Sequence, residues 1–283
     1  MHCAIIYDFD GTLAEGNCAE HGLLPALGIE DVSEFWNEVK ETTEKLNADE
    51  ISMYLWKLLE RAKNKKSLNI LSKRSLNDFG TKIPLFEGVT EWFPSINRYA
   101  ADNGIGLSHY IISSGLEEMI RGTAIVENFK DIFACRFLYD TDIDTDKDKD
   151  SIPLWPAVSI NYTTKTQFLF RINKGIENCW DNTSINRFVE PEKRPIPFSN
   201  MIYIGDGDTD IPAMKMVKYQ GGHSIAVFDP KEWKKTPTQD RIQKLISEER
   251  TDYVVPADYQ AHSQLTVSVK GILQLIKRKY SKI

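Results

Sequence analysis

Two aspartates separated by one residue, Asp8 and Asp10, follow the apolar run Ala4-Ile5-Ile6-Tyr7 near the start of the chain. Ionised carboxylates are costly to bury without partners, and two together repel. A surface turn would seat them cheaply. A metal ion between them would make them useful. Three more stretches offer matching groups: "YIISSG" with Ser113, Ser114 and Gly115, "TTKTQ" with Lys165, and "IYIGDGDTDIPAM" with Asp206 and Asp210. Hydroxyls and N–H groups at a helix start cradle phosphate, and carboxylate oxygens suit Mg²⁺. Phosphoryl transfer from a monoester needs an in-line nucleophile and cations around the equatorial oxygens. These residue types supply both.

The elements that must position these groups are legible as patterns. Apolar runs rich in Ile, Val, Tyr and Phe recur as "CAIIYDF", "LSHYIISS", "IFACRFLY", "NMIYIGD", "HSIAVFD" and "DYVVPAD". Most lack strict alternation, as strands covered on both faces do. Helical patterns lie between them, over roughly 116–129, 164–174, 210–218 and 262–280. The alternation predicts an α/β protein with a doubly wound, mainly parallel sheet of Rossmann-like type. Ligands of such sheets bind beyond the carboxyl ends of the strands. Asp8, Ser113 and Asp206 each fall at such an end.

Residues 15–85 read differently, with three helical stretches and almost no strand signal. Asp31 or Ser33 is positioned to cap the first helix and Asp49 the second. A helical cap over 15–85 is therefore expected, with the core made of 1–14 and 86–283. Pro84 and Gly88 mark the return. The acidic stretch "DTDIDTDKDKDS" (140–151) alternates as a calcium loop does, but no frame gives Gly at its sixth and Glu at its twelfth position. A solvated loop is the expectation there.

Composition narrows the partners. A net charge of −6 over 283 residues speaks against nucleic acid. No apolar run approaches the ~20 residues that cross a bilayer, and the first residues show no leader, so a cytoplasmic protein without a membrane anchor is expected. The four scattered cysteines read as reduced thiols. Nothing points to an obligatory protein partner.

"DFDGT", "YIISSG", Lys165 and "GDGDTD", in this order, resemble the haloacid dehalogenase superfamily. Within it, the resemblance is to phosphatases with a helical cap after the first motif, of the phosphoserine phosphatase type. It implies Mg²⁺ held by Asp8, Asp206 and the backbone carbonyl of Asp10. Asp8 would be the nucleophile that becomes an aspartyl-phosphate. Asp10 would protonate the leaving alcohol and then activate water. Ser113, Ser114, Gly115 and Lys165 would hold the phosphate. Asp210 would order the lysine and metal-bound water without ligating.

Lys174 competes with Lys165 for the lysine role, but roughly 13 Å of helix separates them. Lys165 is preferred, because it opens a helix behind Thr163 and Thr164, whereas Lys174 precedes Gly175 at a helix end. Asp210 is also placed to be a simple helix cap. Among cap residues, Asn17 stands where phosphoserine phosphatases carry a substrate-reading Glu, with Glu15 out of register. His21, Trp36 and Trp56 are further candidates to face the substrate. His109 and His223 are expected to flank strands without chemical roles. The expected activity is hydrolysis of a small phosphorylated metabolite. Phosphotransfer to another alcohol, or phosphate binding without catalysis, are the alternatives on the same scaffold.

Overall fold

The structure, a computed structural model, describes residues 1–143 and 151–280. The centre of the acidic stretch, 144–150, lies outside the described residues, so neither reading of it is addressed.

Seven strands form one sheet in the order β4-β3-β2-β1-β5-β6-β7. They are β1 His2–Tyr7, β2 Gly106–Leu116, β3 Asp131–Tyr139, β4 Pro153–Val158, β5 Met201–Gly205, β6 His223–Phe228 and β7 Tyr253–Pro256. All neighbours pair in parallel except β3 and β4. The α/β architecture matches the sequence pattern. β1 is central and, from Cys3 to Tyr7, fully buried. Its pairing places Tyr7 beside Ile111 on one flank and Ile204 on the other. Asp8 and Asp206, just past β1 and β5, and Ser113, two positions beyond Ile111 within β2, are therefore neighbours in space.

Two expectations need correction. β4 gave no strand signal because Pro153 and Pro156 interrupt it. An edge strand tolerates proline, since one side of its ladder needs no donor. The helix expected over 116–129 shrinks to Glu117–Arg121 and a separate turn at Val126–Asn128. Gly122 ends it, under the helix Lys73–Gly80. A Cβ on Gly122 would lie 2.0 Å from the Asn77 carbonyl oxygen. Close backbone packing, not helical continuation, decides this segment.

Between β1 and β2 stand the helices Val32–Leu46, Glu50–Asn64 and Lys73–Gly80. Asp31 caps the first through the Glu34 N–H (3.0 Å), and Asp49 caps the second through Ser52 (2.8 Å). The chain leaves and re-enters the sheet layer side by side. The Phe86 N–H donates to the Leu13 carbonyl (3.0 Å), and Glu15 donates to that of Pro84 (2.9 Å). Among the described residues no helix is long and apolar enough to cross a membrane. All four cysteines are free.

His109 illustrates how the core uses a polar group. The Trp92 indole N–H donates to the Tyr7 hydroxyl (2.8 Å), which faces His109 Nδ1 at 3.0 Å. That leaves Nε2–H to donate to Asn97 Oδ1, at 2.9 Å. The ring is satisfied when neutral, and burial pulls its pKa down to about 3. The linkage has a definite sign. A depressed histidine stabilises the fold above its unfolded pKa of about 6.5 and loses that contribution as pH falls toward its folded value. In a pH titration by NMR, His109 should stay neutral at pH 5, above its folded pKa of about 3. A His109 titration midpoint above 6 would contradict the assignment.

Candidate active site

Asp8 follows β1 directly, and its N–H continues the ladder by donating to the Ile204 carbonyl (2.9 Å). Its Oδ1 accepts from the Phe9 N–H at 2.8 Å, and the residue is only 4% exposed. Asp206 follows β5 directly and is half-buried. The 3₁₀ turn Asp208–Asp210 then leads into the helix Ile211–Tyr219 and sends Asp210 back beneath the strand ends. Ligand oxygens of Asp8, Asp206 and Asp210 all lie within 4.8 Å of one another.

Lys165 stands among these carboxylates. Its Nζ lies 2.7 Å from Asp210 Oδ1 and 3.0 Å from Asp8 Oδ1, and the residue is fully buried. The helix Lys165–Lys174 brings it there. Asn161, rather than Thr163 or Thr164, starts this helix: its Oδ1 accepts from the N–H groups of both threonines (3.1 and 2.9 Å). Lys174 points elsewhere and donates to the carbonyls of Ile185 and Arg187. The two lysines thus separate as the helix length requires. Asp210 makes no capping hydrogen bond. It accepts instead from Lys165, from the Tyr203 hydroxyl (2.6 Å) and from the Asp206 N–H (3.1 Å).

Electrostatics set the character of the cluster. Burial raises the Asp8 pKa well above the usual carboxylate range, the Asp210 charge raises it further, and Lys165 opposes both. Burial and Asp210 push Asp206 up to about 7, against Arg241 and Lys165. Burial lowers the Lys165 pKa, but Asp210 and Asp8 outweigh it, and the net shift is upward. The lysine stays charged. Arg241 adds a second cation at 3.7 Å from Asp206 Oδ2. Formal negative charge still exceeds positive, and the ligand atoms that converge from Asp8, Asp206 and Asp210 are carboxylate oxygens. A hard divalent cation such as Mg²⁺ fits this donor set.

Asp10 lies beside the cluster. Its Oδ1 accepts from the Cys18 N–H at 2.8 Å, and burial pushes its pKa up to about 6 against that hydrogen bond. Gly11 makes the turn possible. Its φ is +68°, and a Cβ there would fall 2.5 Å from Asp206 Oδ2. Only glycine fits both demands.

The serine motif differs from its expected form. Ser113, Ser114 and Gly115 do not open a helix; they remain in β2, where pairing with β3 is irregular between Ile112 and Leu116. The short helix begins at Glu117, without a side-chain cap. The irregularity turns Ser113 and Ser114 toward the site instead. Gly115 N–H donates to Ser113 Oγ (2.9 Å), and Ser114 Oγ is buried without a partner.

A cavity of about 340 Å³ opens over this cluster. Asp8, Asp10, Ser113, Ser114 and Asp206 contribute from the strand ends. Asn17, Trp36, Glu50, Ile51, Tyr54 and Tyr162 contribute the remaining wall. Of the cap candidates, Asn17 and Trp36 reach the cavity; His21 and Trp56 do not line it. His21 donates from Nε2 to the Glu15 carbonyl (2.8 Å), and Trp56 stands at the surface beside Lys57. Glu15 pairs with Lys231 at 2.6 Å. Sequence reasoning missed Glu50, Tyr54 and Tyr162. Glu50 and Tyr54, four residues apart on one helix face, were the available signal.

No family model matches the sequence. An uncharacterized protein of Borreliella burgdorferi is 32% identical over 229 residues, which cover 76% of this chain and 78% of that protein. Among solved structures, a haloacid dehalogenase family hydrolase from Salmonella enterica serovar Typhi superposes with a TM-score of 0.55 at 16% identity. That superposition covers 95% of this chain and 70% of the other. A phosphoserine phosphatase solved with its substrate superposes with a TM-score of 0.50 at 18% identity, over 90% of this chain and 92% of the other. These similarities show the fold.

Proposed function

For a chain that belongs to one family with the Borreliella burgdorferi protein and has the haloacid dehalogenase fold, we propose a Mg²⁺-dependent phosphatase of small phosphomonoesters. The observation that carries this reading is the meeting of buried Asp8 and Asp210, bridged by Lys165, with half-buried Asp206, open to a cavity beside Asp10. Asp8, Asp206 and the Asp10 carbonyl would hold the metal, with Asp210 close behind them. When bound, Mg²⁺ supplies the positive charge that lets two anions, carboxylate and phosphate, approach each other.

The chain's own groups divide the remaining work. An Asp8 oxygen attacks phosphorus, the bond from phosphorus to the ester oxygen breaks, and an aspartyl-phosphate forms. Asp10, with a pKa raised to about 6, gives its proton to the departing alkoxide. It then takes a proton from water, which attacks the phosphorus, frees inorganic phosphate and restores Asp8. Lys165 neutralises phosphoryl oxygens and opposes the burial that favours protonation of Asp8. Ser114 Oγ, buried and unpartnered, gains an acceptor when phosphate arrives.

Residues 15–85 act as a cap over a core of 1–14 and 86–283. A cap that covers the phosphate excludes water and admits metabolites, while folded phosphoproteins stay outside. The test is release of inorganic phosphate from p-nitrophenyl phosphate and a metabolite panel, with Mg²⁺ and with chelator. Turnover that falls at least about 100-fold on chelation is expected. A folded phosphoprotein should not be dephosphorylated. Turnover indifferent to chelation, or none on any ester, would contradict the reading.

A further inference from the structure

Resting on the phosphatase reading, we infer that the substrate is a small phosphomonoester whose alcohol carries an amine or quaternary ammonium group. The cavity wall away from the strand ends is built for a cation. Among the described residues that line it, none is Lys, Arg or His. Lys165 lies beneath the cavity and is committed to Asp8 and Asp210. The one acid on this wall is Glu50, and among the described residues no basic group pairs with it. Its Oε2 accepts from the Tyr162 hydroxyl at 2.7 Å, which aims the carboxylate from the start of the cap helix.

Three aromatic rings complete the wall. Trp36 and Tyr54 stand with centroids 5.1 Å apart at 38°, and the Trp36 indole N–H donates to Glu20 Oε1 (3.1 Å), which fixes the ring. Tyr162 closes the third side. Aromatic faces beside a carboxylate attract ammonium groups and offer an anionic tail no counter-charge. Tyr54 adds an independent sign of a ligand: it is 3% exposed, lines the cavity, and its hydroxyl has no hydrogen-bond partner. A substrate oxygen would satisfy it.

Asn17 adds no charge to this wall. Its side-chain oxygen is already used by the Ala19 N–H at 2.9 Å. A substrate carboxylate would meet Glu50 with no cation to offset it. An amino-alcohol phosphate brings the positive charge without that second anion. The volume of about 340 Å³ holds an ester of this size.

The test compares kcat/KM, with Mg²⁺, for phosphoethanolamine, phosphocholine, glycerol phosphate and 2-phosphoglycolate, using p-nitrophenyl phosphate to report phosphatase chemistry itself. The cationic esters should exceed glycerol phosphate by about tenfold and 2-phosphoglycolate by about 100-fold. Glu50→Gln should lower the cationic-to-neutral ratio by about tenfold, mainly through KM. Trp56→Leu, off the cavity, should keep the ratio. An equal or better rate on 2-phosphoglycolate, or a ratio untouched by Glu50→Gln, overturns the inference while the phosphatase reading stands. Wild-type protein that hydrolyses no ester, p-nitrophenyl phosphate included, fails the phosphatase reading instead. Tryptophan fluorescence then decides the cavity: tighter saturation by phosphocholine than by 2-phosphoglycolate supports the inference, and the equal or reverse order overturns it.

Discussion

Replacing Asp8 by Asn should abolish Mg²⁺-dependent turnover, a loss on the order of 10⁴-fold or more, while the metal-free fold becomes more stable. Both effects come from one position. Asp8 ends the central strand with a carboxylate that burial and Asp210 hold far above its ordinary pKa. An amide keeps the shape and can still accept from the Phe9 N–H, but carries no charge for Asp206 and Asp210 to repel. Lys165 keeps Asp210 as its partner. The amide nitrogen is no nucleophile, so chemistry stops. Steady-state kinetics and thermal denaturation in chelator measure the two effects. Substantial Mg²⁺-dependent activity in pure Asp8→Asn protein would remove Asp8 from its role.

Lys165→Ala should act in the opposite sense on stability. Its ammonium is fully buried between Asp8 and Asp210, and its removal leaves two buried carboxylates without their cation. Breaking a buried pair in this way costs about 3–5 kcal/mol. Turnover should fall roughly 10²–10³-fold, the usual loss when one preorganised donor to transition-state charge is removed. Lys174→Ala loses only two hydrogen bonds to backbone carbonyls, so a cost of about 1 kcal/mol and little change in rate are expected. Adding Asp8→Asn to Lys165→Ala should recover part of the lost stability, because the neighbours couple. The reverse ranking of the two lysines in rate would contradict the placement.

The legible parts of this molecule are those with short-range causes. Buried parallel strands write themselves as apolar runs, so β1, β2, β3 and β5 to β7 can be read directly. Strand-end chemistry follows from topology, which is why the amino-acid order alone groups Asp8, Ser113 and Asp206. Lys165 and Lys174 separate on helix length alone. What escapes depends on packing between distant segments. β4 carries prolines that only an edge position permits. The helix at 117 stops because Gly122 packs against Asn77, 45 positions earlier in the sequence. The serine motif sits in an irregular strand, a matter of pairing with β3.

The cavity wall shows the same limit. Helical character over 50–64 is clear, but the sequence does not say which face meets the cavity. Trp56 draws attention as an aromatic and lies off the site, whereas Tyr54, two residues earlier, lines it. Tyr162 reaches Glu50 across 112 positions of sequence. No local pattern encodes such a contact.

The most direct measurement is the position of the phosphoryl group during turnover. Wild-type protein is mixed with Mg²⁺ and a phosphomonoester, quenched in acid on the millisecond scale, digested and sequenced by mass spectrometry. The expected result is one phosphoryl group on the carboxylate of Asp8, absent from Asp8→Asn and from samples with chelator. A phosphoryl group on any other residue, or phosphate release with Asp8 never modified, would contradict the assignment of Asp8 as nucleophile.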